Sequence, residues 1–210
     1  MIPFLLWMIA GAILFMVYGS QAIFAQVNGH HTHFWDLVMP VATYLGNGVV
    51  IVPVLLGVMM LFKSSRDWWY VLTAAACNVV PAFVIQMLKA YFNKPRPFKY
   101  YIEDSGWIHF EDFWGTRLTD HSFPSGHSAG VFSMCCFLSM ILPKRYQWIG
   151  ALLFCIALFV GYTRMYLAAH FYRDVYVGSI IGTTVTIFCF ALMRQWSKRS
   201  FEITRTNNDD

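Results

Sequence analysis

Long apolar runs separated by short polar breaks dominate the chain. They lack both the strict alternation of a half-buried strand and the polar face of a soluble amphipathic helix. Six such runs predict six membrane-spanning helices, at residues 2–27, 49–62, 68–92, 124–142, 148–162 and 175–196. The second and fourth are short for a hydrocarbon layer about 30 Å thick. Pro81 falls inside the third and predicts a kink there. The first run has no basic residues ahead of it and exceeds the roughly 7–15 apolar residues of a cleaved signal, so it is read as a span. The expected fold class is all-α: a six-transmembrane-helix bundle forming one domain over residues 1–210.

Composition agrees with a lipid solvent. The chain is 58% hydrophobic and only 12% charged, against roughly 25% charged in a soluble domain. The net charge of +4 is spread along the sequence, without the basic arm of a nucleic-acid binder. Cys77, Cys135, Cys136, Cys155 and Cys189 all lie in apolar runs with no CxxC spacing, so they read as small buried hydrophobes. Basic residues set the orientation. Lys63, Arg66, Lys144, Arg145 and the tail's Arg194, Lys198, Arg199 and Arg205 share one side, assigned to the cytoplasm together with both termini. Lys89, Lys94, Arg96, Lys99, Arg117, Arg164 and Arg173 lie opposite. That outer face carries the long segment 93–123, whose Tyr100, Tyr101, Trp107, Phe110, Phe113 and Trp114 suit an interfacial aromatic belt or a lid over a site.

Three polar clusters converge on the outer face. Lys89 and Arg96 are seven residues apart, two helical turns, and Pro95 and Pro97 end the third span near Asn93. A snorkelling lysine and a loop charge are the bland reading of this pair. In the second cluster, Pro124 suits the first position of a helix whose first turn holds Ser125, Gly126 and His127. Free N–H groups and a positive dipole end there favour an anionic phosphate, with His127 beside it as a proton donor. A plain capped helix start is the alternative. In the third, His170 and Asp174 are four apart and would meet on a helix. The carboxylate would orient the imidazole as a nucleophile or base, and Arg164 offers a planar fork to phosphate oxygens. Here the bland reading is a surface His–Asp pair. Together the clusters hold what phosphoryl transfer needs: cations for the oxygens, a nucleophile and an acid. No carboxylate or thiolate set suited to magnesium or zinc accompanies them, so the expectation is metal-free catalysis without a cofactor.

Lys89-x6-Arg96-Pro97, Pro124-Ser125-Gly126-His127 and Arg164-x5-His170-x3-Asp174 resemble the three-part signature of the type 2 phosphatidic acid phosphatase family, which includes the soluble vanadium haloperoxidases. The resemblance runs from Lys89 to about Gly182. It implies the phosphatase/haloperoxidase-like core, with His170 as the nucleophile that forms a phosphohistidine and Asp174 orienting it. His127 would protonate the leaving group and then activate water. Lys89, Arg96 and Arg164 would bind phosphate, with Ser125 and the Gly126 N–H completing the cradle. Thr163 stands where the family usually has Ser, and Tyr172 where it often has Pro.

The expected function is hydrolysis of a lipid phosphate at the outer leaflet of a bacterial-type inner membrane. Undecaprenyl pyrophosphate is favoured over phosphatidylglycerol phosphate, phosphatidic acid and the 1-phosphate of lipid A. The bilayer and the lipid phosphate are the expected partners, with no nucleic acid and no obligate protein. A phosphotransferase passing the group to another acceptor is the alternative. A phosphate-recognising transporter fits less well, because Asn78 and Gln86 are the notable polar residues in mid-span. His30, His31 and His33 are read as a solvated loop rather than a metal site.

Overall fold

Residues 2–61, 68–110 and 119–206 are described by a computed structural model, and they form helices joined by turns. The helices are α1 (Ile2–Tyr18), α2 (Ser20–Asn28), α3 (His33–Ala42), α4 (Gly48–Leu61), α5 (Trp68–Phe92), α6 (Pro97–Tyr100), α7 (Gly126–Ile141), α8 (Gln147–Tyr166) and α9 (Tyr172–Thr206). Lys63, Arg66, Phe113, Trp114 and Arg117, which enter the orientation and lid arguments, lie outside the described residues.

Two predicted spans differ in kind. The first is not one helix, because the axis turns by 93° between α1 and α2. Gly19 makes the turn with φ +76°, a left-handed conformation that costs glycine little. Beyond it, α2 runs back along residues 166–173. Ser20 Oγ accepts the Arg173 N–H at 3.0 Å, Phe24 meets Phe171 edge-on, and Asn28 Nδ2 donates to the Tyr166 carbonyl at 2.8 Å. The second predicted span is the far arm of a bent pair. Residues 33–46 and 48–58 form two segments meeting at 61°, joined by a 3-10 turn at Thr43–Gly46. Hydropathy missed α3 because His33, Asp36 and Pro40 interrupt its apolar run.

The remaining predictions differ mainly at their ends. α5 has the predicted bounds and continues through Pro81. α8 extends past Tyr162 to Tyr166, which places Arg164 in its last turn. By length and composition three described helices can cross a membrane, or up to five if each bent pair is one span. α7, with 16 residues, falls short of that test, so the expected six is not reached.

That shortness suits where α7 sits. Ten of its residues are buried, so it forms the axis on which the others pack. A side chain at Gly178 or Gly182 would collide with the Ser125 or Ala129 carbonyl oxygen. The two glycines therefore let α9 lie directly on α7, as small residues four apart do between membrane helices. Ser133 Oγ donates to the Gly182 carbonyl at 3.2 Å across the same seam. Four cysteines are buried as expected, whereas Cys155 is exposed on α8.

Candidate active site

The His170 segment owes its shape to the end of α8. Ala168 adopts φ +50°, and the N–H groups of Ala169 and His170 both donate to the Arg164 carbonyl at 3.0 and 3.1 Å. His170 thus precedes α9, and the expected His170–Asp174 pair along one helix is corrected. Asp174 sits in the first turn of α9, where Oδ2 accepts the Phe171 N–H at 3.1 Å, half of a capping box. Its carboxylate lies 3.7 Å from His170 Nδ1. Ser122 stands between them, donating to Asp174 Oδ2 at 2.5 Å with its Oγ 3.4 Å from His170 Nδ1. Burial, together with the neighbouring Arg96, Arg164 and Lys89 cations, pushes the His170 imidazole well below its ordinary pKa. A neutral ring whose Nδ1–H faced the Ser122 oxygen would leave the Nε2 lone pair free.

Those three cations come from three directions. Lys89 is in the last turn of α5, which stops at Phe92 before Asn93 at φ +37°. Its ammonium lies 3.9 Å from where a Cβ on Gly126 would stand. The helix ends at Phe92, close to the expected stop near Asn93, so Lys89 and Arg96 do not share a helical face. Arg96 instead clamps two segments, donating through Nε to the Asp120 carbonyl at 2.9 Å and through Nη1 to the Ala169 carbonyl at 3.0 Å. Arg164 is buried and donates through Nη1 to Thr43 Oγ1 at 2.7 Å, while its Nε has no partner among the described residues. At the rim, the half-buried Asp120 pairs with Lys99 at 2.8 Å, which holds its carboxyl below the usual range.

The start of α7 also differs from expectation. Pro124 is not the first helical residue: it precedes the helix after a cis peptide bond, and Ser125 is the N-cap. Ser125 Oγ accepts from the Ser128 N–H at 3.3 Å and from Ser128 Oγ at 2.9 Å. Both bonds use Ser125 Oγ as an acceptor, which leaves its O–H hydrogen to donate. The Ser125 N–H donates to the Asp174 carbonyl at 2.9 Å, tying α7 to α9 at the site. Gly126 and His127 are the first two helical residues, whose N–H groups have no acceptor within the helix. His127 Nε2 is buried without a partner among the described residues.

All eight residues picked from sequence thus lie at one end of the bundle, on α5, α7, α8, α9 and their connections. Two neighbours carried no signal. Ser122 sits in an irregular segment before Pro124, and Thr43 lies some 120 positions from Arg164 in the chain. Of the three early histidines, His33 begins α3 and His31 stacks on His109, centroids 3.8 Å apart. His109 Nε2 lies 2.8 Å from Asp36. No group of three or more metal-ligating side chains occurs among the described residues.

Known proteins resemble this chain in sequence and fold. The chain is 29% identical over 166 residues to a lipid A 4'-phosphatase of Bacteroides thetaiotaomicron, a match covering 74% of this chain and 68% of that protein. It is 25% identical over 173 residues to the undecaprenyl-diphosphatase BcrC of Bacillus subtilis, covering 81% and 82%. Among solved structures it resembles Aquifex aeolicus LpxE with a TM-score of 0.68 at 28% identity, covering 82% of this chain and 94% of that one. The PAP2 superfamily model matches residues 67–198, well over half of the sequence and all eight residues of the site. The chain is therefore a member of the PAP2 superfamily.

Proposed function

We propose that the chain is a membrane lipid phosphatase working through a phosphohistidine at His170. One observation carries this reading: the site is an anion cradle with donors left over. Lys89, Arg96 and Arg164 surround His170 with Asp174 as the buried carboxylate, and Arg164 Nε and His127 Nε2 are buried without partners among the described residues. An unpaired buried donor such as the Arg164 Nε–H costs about 1–3 kcal/mol, so the pocket stands to gain by taking an oxyanion. A phosphate monoester dianion would balance the surplus of positive charge.

His170 Nε2 attacks phosphorus, and the bond to the lipid oxygen breaks. The cations hold the non-bridging oxygens, and His127 gives a proton to the leaving oxygen. Water then attacks the phosphohistidine as His127 takes its proton, the P–N bond breaks, and phosphate leaves. Ser122 and Asp174 face Nδ1, so they hold the ring with Nε2 toward the substrate and stabilise its charged form. The cations do the electrostatic work that a metal does elsewhere, so turnover needs no divalent ion.

Relatives named as phosphatases of lipid A and of undecaprenyl diphosphate support a lipid substrate. An apolar groove of about 360 Å³ lined by Trp7, Phe132, Leu158, Met165, Tyr172 and Val175 offers room for part of a hydrocarbon chain. Undecaprenyl pyrophosphate is the first lipid to try. The site faces the outer side of a bacterial-type inner membrane, with both termini in the cytoplasm.

The test is phosphate release by the purified chain in detergent, in excess EDTA and without an acceptor. The lipids are undecaprenyl pyrophosphate, phosphatidylglycerol phosphate, phosphatidic acid and a lipid A species. Release should persist in EDTA and fall at least a thousandfold in His170→Ala, the scale seen when a nucleophile is removed. Equal release by mutant and wild type would refute the nucleophile. No release until an alcohol acceptor is added would make the chain a phosphotransferase.

A further inference from the structure

We propose that the 3-10 turn between α3 and α4 is a working wall of the phosphate site, with Thr43 as the positioning residue for Arg164. This rests on the phosphatase reading above. It concerns residues outside the 67–198 segment that the family model matches, and nothing in the sequence connects them to the site.

The geometry is direct. Thr43 is 0% exposed and Arg164 6%, and Arg164 Nη1 donates to Thr43 Oγ1 at 2.7 Å. Arginine has a long, rotamer-rich stem that carries a rigid planar fork. Holding one corner of the fork therefore sets the direction of the remaining N–H groups. Nε is a buried atom of this fork that has no partner among the described residues, so the threonine bond fixes which edge stays available to an oxyanion. A short β-branched side chain suits this role, because its few rotamers leave the hydroxyl little freedom.

The far end of the turn meets the other side of the site. A Cβ on Gly46 would stand 2.7 Å from the His127 carbonyl oxygen and 3.1 Å from His127 Cβ. Only glycine lets this backbone lie against the first turn of α7. Asn47 then starts α4, its Oδ1 accepting the Val49 N–H at 3.1 Å. The 61° bend between the two segments is what brings residues 43–46 inward, so the bent pair contributes to the site as well as to the bundle's outer layer.

The experiment compares Thr43→Val, which keeps the shape and removes the oxygen, with Thr43→Ser, which keeps the oxygen. Inorganic phosphate serves as a competitive inhibitor, alongside kcat, KM and thermal midpoints in detergent. Thr43→Val should weaken phosphate inhibition and lower kcat/KM about tenfold, the scale of one hydrogen bond to a charged group. Thr43→Ser should stay within about twofold of wild type at an unchanged midpoint. Unaltered phosphate inhibition in Thr43→Val sinks the proposal, as does a lowered midpoint with kinetics intact, because the bond would then be structural only. Equal losses in Thr43→Ser and Thr43→Val would also overturn it. Should the wild-type chain neither bind phosphate nor release it, the phosphatase reading itself fails and this inference goes with it.

Discussion

At the scale of single residues, the site depends on polar atoms held in place by groups that do no chemistry themselves. Ser122 is the clearest case. Its hydroxyl donates to Asp174 Oδ2 at 2.5 Å and lies 3.4 Å from His170 Nδ1. It therefore orients the imidazole through the carboxylate, much as a third group orients the base of a nucleophile–base pair. Ser122→Ala is expected to lower kcat by ten- to a hundredfold while KM for the lipid changes less than threefold, because only the attacking ring is misaligned. Steady-state phosphate release across a substrate series checks this, and a change confined to KM would remove Ser122 from the role. His170, Asp174, His127 and the three cations were legible in the sequence because their spacing repeats a known signature. Ser122 was not: one serine in an irregular segment has no periodicity to mark it. His170 and Asp174 do approach, at 3.7 Å, but not along one helix as their spacing suggested. Four-residue spacing implies contact on a helix, but α8 had ended and α9 had not begun.

At the scale of elements, the seam between α7 and α9 sets the site's dimensions. Gly178 and Gly182 bring α9 onto the carbonyls of Ser125 and Ala129. The bond from the Ser125 N–H to the Asp174 carbonyl then locks the anion-binding end of α7 to the helix that carries Asp174. Overpacking a tight interface costs about 1–3 kcal/mol, and here the neighbour that must give way is backbone. Gly182→Leu is therefore expected to lower the thermal midpoint in detergent and cut activity at least tenfold, with Gly182→Ala intermediate. An unchanged midpoint and full activity in Gly182→Leu would show that the seam is looser than described. Four of the six apolar stretches correspond to single helices with shifted or matching ends, because apolar length is the membrane's own requirement. Hydropathy could not show that Gly19 turns the chain by 93° or that residues 33–46 form the first arm of a bent pair. Both features depend on what each segment packs against.

For the whole molecule, the proposed orientation places the polar end outside. Lys94, exposed just before Arg96, and Arg194, exposed near the far end of α9, provide the handles. In intact cells a cysteine replacing Lys94 should react with a membrane-impermeant maleimide, while one replacing Arg194 should react only after permeabilisation. The reverse pattern would invert the topology and move the site to the cytoplasmic leaflet. The sequence by itself determined that the chain is apolar and helical, that its charges gather near helix ends, and which residues carry the phosphatase signature. Composition and spacing are local properties that survive without knowledge of contacts. The tertiary structure alone decided that Ser122 stands between His170 and Asp174, that Arg96 clamps two backbone segments, and that Thr43 reaches Arg164 across some 120 residues. Such contacts depend on how bends and close helix crossings fold distant segments together, and no period or motif in a linear sequence encodes that distance.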